Sequence, residues 1–336
     1  MLSVENLSKK FGEKQALRGI SFEAHDGRVT GFLGPNGAGK STTMRALLGL
    51  IRADSGTALV DGHAYATSRS PLTHVGAVLD AKSAHKGRSA RSHLLAMAHT
   101  HGISRQRVEE VLAYAGLKDV DKRRAGGFSL GMSQRLNIAA AILGDPHNLV
   151  LDEPVNGLDP EGVRWVRELC RYYASTGRAV LLSSHLMSEV ALTADDLVII
   201  GRGRILAQFT VQEFLERYSS HAVRVITPTP NAFTTAFATL PQAHVEQLNS
   251  HGDEASVASG TAEFRITGIP LAQAAELIAN QGIVVYQLNE ERTSLEDAYL
   301  QLTHGATEYA SSAAVQPQQP GQSQRPVDTA MEGVRS

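Results

Sequence analysis

A chain of 336 residues with 42% apolar content can bury a sizeable core and has the length of about two domains. Its net charge of −2 excludes a general pull towards nucleic acid or an anionic membrane, and its single cysteine, Cys170, excludes an internal disulfide or a cysteine metal centre and fits a reducing compartment. No run approaches the roughly 18 apolar residues of a membrane span, and the N-terminus lacks a charged-then-apolar signal, so export is not expected. The basic run Lys122-Arg123-Arg124 is short enough to be a solvated face. The thirteen histidines read as solvated as well, because His74, His85, His93, His99 and His101 lack paired ligand spacing or acidic companions.

Leu2, Val4 and Leu7 alternate with polar residues, and Ala16-Leu17 and Ile20–Phe22 continue as short strands, so the chain opens on a β layer. Phe11 follows Lys9-Lys10 and precedes Gly12, a poor setting for a core residue. Its ring can stack on a base or pack at a strand end. Val29, Gly31, Phe32 and Leu33 read as a buried strand running into Gly34-Pro35-Asn36-Gly37-Ala38-Gly39-Lys40-Ser41-Thr42, which fits G-x-x-x-x-G-K-[ST]. Such glycines let backbone N–H groups turn onto an anion, Lys40 adds a mobile charge, and Ser41 offers a hydroxyl to Mg²⁺. Met44, Leu47, Leu48 and Ile51 at helical spacing make the loop the opening of a helix, whose N-terminus favours phosphate. Thr57–Val60, between Ser55-Gly56 and Asp61-Gly62, extends the β layer.

From about residue 86 to 144 the pattern turns helical, through Leu94, Leu95, Met97 and Ala98 and then Val108, Val111, Leu112 and Tyr114. The stretch ends in Phe128-Ser129-Leu130-Gly131-Met132 and a helix carrying Ile138, Ala139, Ile142 and Leu143, stopped by Gly144-Asp145-Pro146. Ser129 suits an N-cap, and with Gly131 it makes a second anion-binding helix end. Leu149–Leu151 is a buried strand ending in Asp152-Glu153, and buried carboxylates need a partner or a task. Strand alternation would turn Asp152 towards Mg²⁺ and Glu153 towards an attacking water. After the turn Asn156–Pro160, the residues Val163, Val166, Leu169 and Cys170 form the buried side of a helix with Trp165 on its flank. The strand Ala179–Leu182 then delivers Ser183-Ser184-His185 to its C-terminal edge, where open α/β sheets bind ligands and His185 could sense a γ-phosphate.

Leu197–Ile200 and Ile205–Phe209 flank the turn Gly201–Arg204 as a hairpin, and Thr210-Val211-Gln212-Glu213 is a capping box opening a helix through Phe214 and Leu215. Beyond it the pattern predicts strand Val223–Ile226, helix Ala232–Leu240, strands His244–Leu248 and Phe264–Ile266, helix Leu271–Ile278 and strand Ile283–Leu288. That order describes a small α+β unit for docking, regulation or plain stabilisation. The Gln, Pro and Ser content of residues 316–326 predicts a disordered tail over 305–336.

The order of these motifs over about residues 1–220 resembles the ATP-binding cassette (ABC) ATPases. Gly34–Thr42 resembles their Walker A loop, Ser129–Met132 stands where the LSGGQ signature belongs, and Leu149–Glu153 resembles Walker B. Asp159 matches the D-loop aspartate, His185 the switch histidine and Phe11 the adenine-stacking aromatic. Leu130 and Met132 replace a glycine and a glutamine of the signature, which spares backbone donors but loses a side-chain contact. Val75–Asp80 ends in Asp80 where the family has its Q-loop glutamine, adding a charge and removing an amide donor.

The resemblance implies a P-loop NTPase fold: a RecA-like α/β core, an N-terminal antiparallel β layer and a helical subdomain within residues 1–220, then the α+β unit at 221–304. It implies ATP and Mg²⁺ as ligands. Lys40 and the loop amides would lie on the phosphates, Ser41 and Asp152 on the metal, Glu153 on water and His185 on the γ-phosphate. Because one chain cannot apply its cradle and its signature to the same nucleotide, it also implies pairing with a second cassette, most simply as a homodimer. The C-terminal extension with Ser294-Leu295-Glu296-Asp297-Ala298-Tyr299 is similar to that of bacterial drug and antibiotic exporters of the ABC-2, daunorubicin- and bacitracin-resistance-like type. Their ATPase sits at the cytoplasmic side of the membrane beneath a separate permease. The alternatives are a soluble ABC ATPase outside transport and a cassette that binds ATP with weak hydrolysis.

Overall fold

The structure, a computed structural model of the chain, describes residues 1–80, 83–185, 187–218, 221–248 and 261–292, with residues 296, 299 and 302. The expected disordered tail lies outside the described residues. Strands β1 (Leu2–Phe11) and β2 (Lys14–Ala24) form a hairpin, so the separate short strands expected at the start are two long ones. Irregular pairing between Val4 and Leu7, with Asn6 at φ +47°, breaks the alternation there. Strand β3 (Val29–Leu33), buried at every residue, leads through the glycine loop into α1 (Lys40–Leu47), and β4 (Ser55–Val60) returns to β1. The short α2 (Pro71–His74) precedes β5 (Val75–Val78). Helices α3 (Ala90–Thr100), α4 (Arg105–Tyr114) and α5 (Leu130–Ala141) form the helical insertion, with Ser89, Ser104 and Ser129 each accepting a backbone N–H as N-cap.

The chain continues through β6 (Asn148–Asp152), α6 (Pro160–Ser175), β7 (Ala179–Ser184), α7 (Met187–Ala191), β8 (Asp196–Gly201), β9 (Arg204–Thr210) and α8 (Val211–Tyr218). The capping box before α8 closes reciprocally: Glu213 N–H donates to Thr210 Oγ1 at 3.1 Å, and Thr210 N–H to Glu213 Oε2 at 2.8 Å. Last come β10 (His221–Thr227), α9 (Pro230–Phe237), β11 (His244–Leu248), β12 (Ala262–Thr267), α10 (Leu271–Asn280) and β13 (Gln287–Arg292).

These strands make a three-stranded antiparallel sheet, β2-β1-β4, and a six-stranded sheet ordered β5-β6-β7-β3-β8-β9, parallel except at β9. Burial on both faces explains why β3 is apolar but for Thr30 and why β7 opens on the apolar run Ala179–Leu182. One core, with Phe22, Phe32, Met44 and Leu47, fills the space between the two sheets. The other joins the opposite face of the large sheet to α3–α6 through Leu94, Leu136, Leu151 and Leu169.

The C-terminal strands form a third, antiparallel sheet ordered β11-β12-β10-β13. Its own core centres on Phe233, which lies 4.6 Å from both Phe237 and Phe264 between ring centroids. The last strand is a correction. Ile283 and Val285 alternate like a strand but pack partly into this core ahead of the ladder, which the chain enters only after Tyr286 N–H donates to Ile226 O at 2.8 Å. Farther on, Tyr299 and Leu302 pack into the cassette core rather than this small one.

Among the described residues, no helix is long and apolar enough to cross a membrane. Not every histidine is merely solvated, however. His147 stands 3.4 Å from Asp26 in an ion-pair cluster that the Met1 amine and Asp61 complete, and burial makes His93 harder to protonate than an ordinary histidine.

Candidate functional site

The site is a cleft of about 430 Å³ where the C-terminal ends of β3 and β6 meet the end of the N-terminal hairpin. Pro35, Asn36, Gly37, Gly39, Lys40, Ser41 and Thr42 form its floor. Gly34 and Ala38 make the inner side of the loop, Ala38 packing into the core. Gly39 has φ +117°, and a Cβ there would lie 2.7 Å from Leu17 Cδ2, so only glycine lets the loop turn into α1 against the hairpin. The Lys40 side chain is 6% exposed, and its ammonium donates to Gly34 O at 2.5 Å and stands 3.7 Å from Glu153 Oε1. Burial lowers its pKa, while the charges of Glu153 and Asp152 oppose the shift.

Asp152 closes β6, and its Oδ1 accepts from Ser183 Oγ at 2.5 Å across to β7. Simple strand alternation does not separate the two carboxylates. Glu153 lies past the strand end at φ +50°, a left-handed conformation uncommon outside glycine. Its N–H donates to Ser183 O at 3.2 Å and to Ser183 Oγ at 3.1 Å. Its carboxylate meets His185 Nδ1 at 2.8 Å, which places that histidine just past the C-terminal end of β7, beside the cleft. A buried cation and two carboxylates facing a glycine-lined cleft form a donor set suited to a nucleotide polyphosphate and a hard divalent ion.

Phe11, at the end of β1, is 49% exposed on the rim of the cleft, with Lys9 Nζ 5.4 Å from its ring centroid. It packs into no core cluster, unlike a strand-end filler. Asp80 lies on the opposite rim, exposed, with Arg45 3.5 Å away and its backbone carbonyl accepting from Asn137 Nδ2 at 2.9 Å.

Ser129, Gly131 and Asp159 do not line this cleft. The start of the signature helix lies against the D-loop instead, where a Cβ at Gly131 would stand 3.0 Å from Gly157 O. Ser129 Oγ accepts from Met132 N–H at 3.2 Å, and Asp159 caps α6 through Gly162 N–H at 2.9 Å while standing 3.8 Å from Arg135 of the signature helix. Leu130, the unusual signature residue, lies over the D-loop: a Cβ at Gly157 would sit 2.3 Å from Leu130 Cδ2.

Sequence reasoning gave no role to Lys14, Ala16, Leu79, Gln134 or Asn156, which also line the cleft. None belongs to a spaced motif that marks it as a ligand contact; only the fold brings them there. Tyr299 stands out in the sequence only as part of its motif, yet its phenol is buried and pushed up to about 12 by burial and by the charge of Glu153.

The family model described as "ABC transporter" matches residues 17–156, from the hairpin to the D-loop. The linearmycin resistance ATP-binding protein LnrL of Bacillus subtilis is 33% identical over 310 residues, 90% of this chain and 98% of that one. The chain belongs to the ABC transporter ATP-binding proteins. The ABC transporter ATP-binding protein YhcH of Bacillus subtilis is 32% identical over 90% of this chain and 96% of its own. A solved ATP-binding subunit of an ABC transporter aligns with a TM-score of 0.60 at 26% identity, covering 65% of this chain and 93% of the other. As an ABC ATP-binding subunit, this chain binds ATP and hydrolyses it.

Proposed function

We propose that this subunit powers a separate membrane permease that exports a drug, antibiotic or lipid-like compound, and that it works at the cytoplasmic face as a pair of cassettes. The relationship to a linearmycin resistance protein along nearly the whole chain supports the cargo class. We assign residues 1–220 to the cassette and 221–304 to an accessory domain, supported by the latter's own sheet and core.

In this reading Phe11 stacks on adenine, the loop amides of Gly34–Thr42 and Lys40 hold the phosphates, and Ser41 and Asp152 hold Mg²⁺. Bound there, Mg²⁺ would supply positive charge to offset that of the phosphates. Glu153 takes the proton of the attacking water as its oxygen bonds to the γ-phosphorus and the bond to the leaving ADP oxygen breaks. His185, bound to Glu153 through Nδ1, turns its other ring nitrogen to the γ-phosphate. Asp80 meets the rim of the nucleotide as an acceptor only. Ser129, Gly131 and Asp159 serve the ATP of the partner cassette, supported by their position outside their own cleft.

The observation that carries the reading is Glu153, pinned in a left-handed conformation with its carboxylate between His185 and the Lys40 ammonium. Glu153→Gln should keep ATP binding, lower turnover by roughly 10²–10⁴-fold and let an ATP-stabilised dimer accumulate in gel filtration. Full hydrolysis by that variant, or no ATP-dependent dimer, would overturn it. Co-purification of the chain with a multi-helix membrane protein tests the permease, and a ribosomal or DNA partner in its place would reject transport.

A further inference from the structure

Gln134 occupies the second turn of α5, five positions past the Ser129 cap, with 1% of its surface exposed, and it lines the nucleotide cleft. Its Nε2 donates to the Pro154 carbonyl at 2.9 Å. A carbonyl can only accept, so this bond settles the amide's orientation and turns Oε1 the other way. Oε1 is buried and has no hydrogen-bond partner among the described residues. A buried amide with one end satisfied and the other not is a poor choice for filling a core, where an apolar side chain of the same size would carry no such penalty.

What Gln134 holds is the residue just after the candidate base. Glu153 sits at φ +50°, and on its N-terminal side Ser183 of β7 pins its N–H twice. On its C-terminal side Glu153 O accepts from Asn156 N–H at 3.2 Å within the turn, Pro154 brings no N–H of its own, and the Pro154 carbonyl is gripped from outside the turn. That grip comes from the helix that starts at the signature. The helix is tied to the same turn again through Arg135, which stands 3.8 Å from Asp159 and 5.2 Å from the Trp165 ring.

We infer that Gln134 is a positioning residue, holding Glu153 in its hydrolytic conformation and making that conformation depend on how its own signature helix is seated. The inference rests on reading Glu153 as the base. When the Ser129 end of α5 closes on a partner's nucleotide, the displacement of the helix reaches Glu153 through one side-chain hydrogen bond. The loaded state of one cleft is thereby reported to the other, and Oε1 offers an acceptor to a donor entering the cleft.

The test uses the purified full-length chain as wild type, Gln134→Leu, Gln134→Glu and Glu153→Gln, with ATP turnover, calorimetric ATP affinity and thermal unfolding measured on each. Gln134→Leu should lower kcat at least tenfold while KM and Kd for ATP stay within about twofold. Gln134→Glu keeps the size. Its buried carboxyl, hard to ionise, can donate to Pro154 O only when protonated, so its kcat relative to wild type should rise as pH falls from 8 to 6. Unchanged kcat in Gln134→Leu beside an inactive Glu153→Gln would overturn the inference alone. A pH-independent ratio for Gln134→Glu, or kcat and ATP affinity falling together with the melting temperature, would do the same. Turnover retained by Glu153→Gln would overturn the reading of the base and this inference with it.

Discussion

The chain presents two helix ends, at Lys40 and at Ser129, that are built differently and are both proposed to meet phosphate. The end at Lys40 lies in a deep cleft, closed by a glycine that tolerates no side chain and supplied with a buried cation and two carboxylates. The end at Ser129 is a surface feature: Leu130 is 43% exposed, and the cap and D-loop contacts are spent within the chain. The first is a binding site by itself. In the proposed pairing the second would be half of a site, completed by a nucleotide that another cassette presents.

The largest effect should come from breaking the self-sufficient end. Lys40→Ala removes the only ammonium within reach of Glu153 among the described ion pairs, and ATP affinity measured by calorimetry should fall at least roughly 100-fold, with turnover lost. The comparison is sharpened by Ser129→Ala. It should leave ATP affinity of the monomer unchanged, cost about 1 kcal/mol of stability through the lost cap, and lower turnover roughly tenfold only at protein concentrations where dimers form. If monomer affinity fell instead, the two ends would not be independent.

The smallest effect lies in the helical insertion, at His93 of α3. Burial, and then the charges of Arg88 and His85, hold the His93 pKa below the ordinary histidine value of 6.5. The unfolded chain therefore takes up this proton first. The contribution of His93 to stability is complete above about pH 6.5 and is lost as pH falls below it towards the folded-state value. The melting temperature should drop less between pH 7 and pH 5.5 in His93→Gln than in wild type. An identical acid slope in both would show that the insertion gains nothing from keeping this ring neutral.

The cradle was legible because its chemistry is local. A glycine-rich loop between an apolar strand and an amphipathic helix can be read from neighbouring residues, as can the Ser129 cap and the Thr210–Glu213 box. The strand Ile283–Leu288 was misplaced because two alternating apolar residues satisfy a strand pattern without satisfying a ladder. Hydrogen bonding to β10 decided where the strand begins.

Sequence alone established the motif order, the α/β alternation and the residue types of the site, since all of these rest on short-range periodicity and steric rules. Tertiary structure alone decided that Glu153 leaves its strand in a left-handed turn, that Ser183 holds its N–H while Gln134 holds the carbonyl of Pro154 after it, and that Tyr299 returns to within its electrostatic reach. Those contacts join positions remote along the chain, and no local pattern encodes them because they exist only once the sheet and the signature helix have packed together.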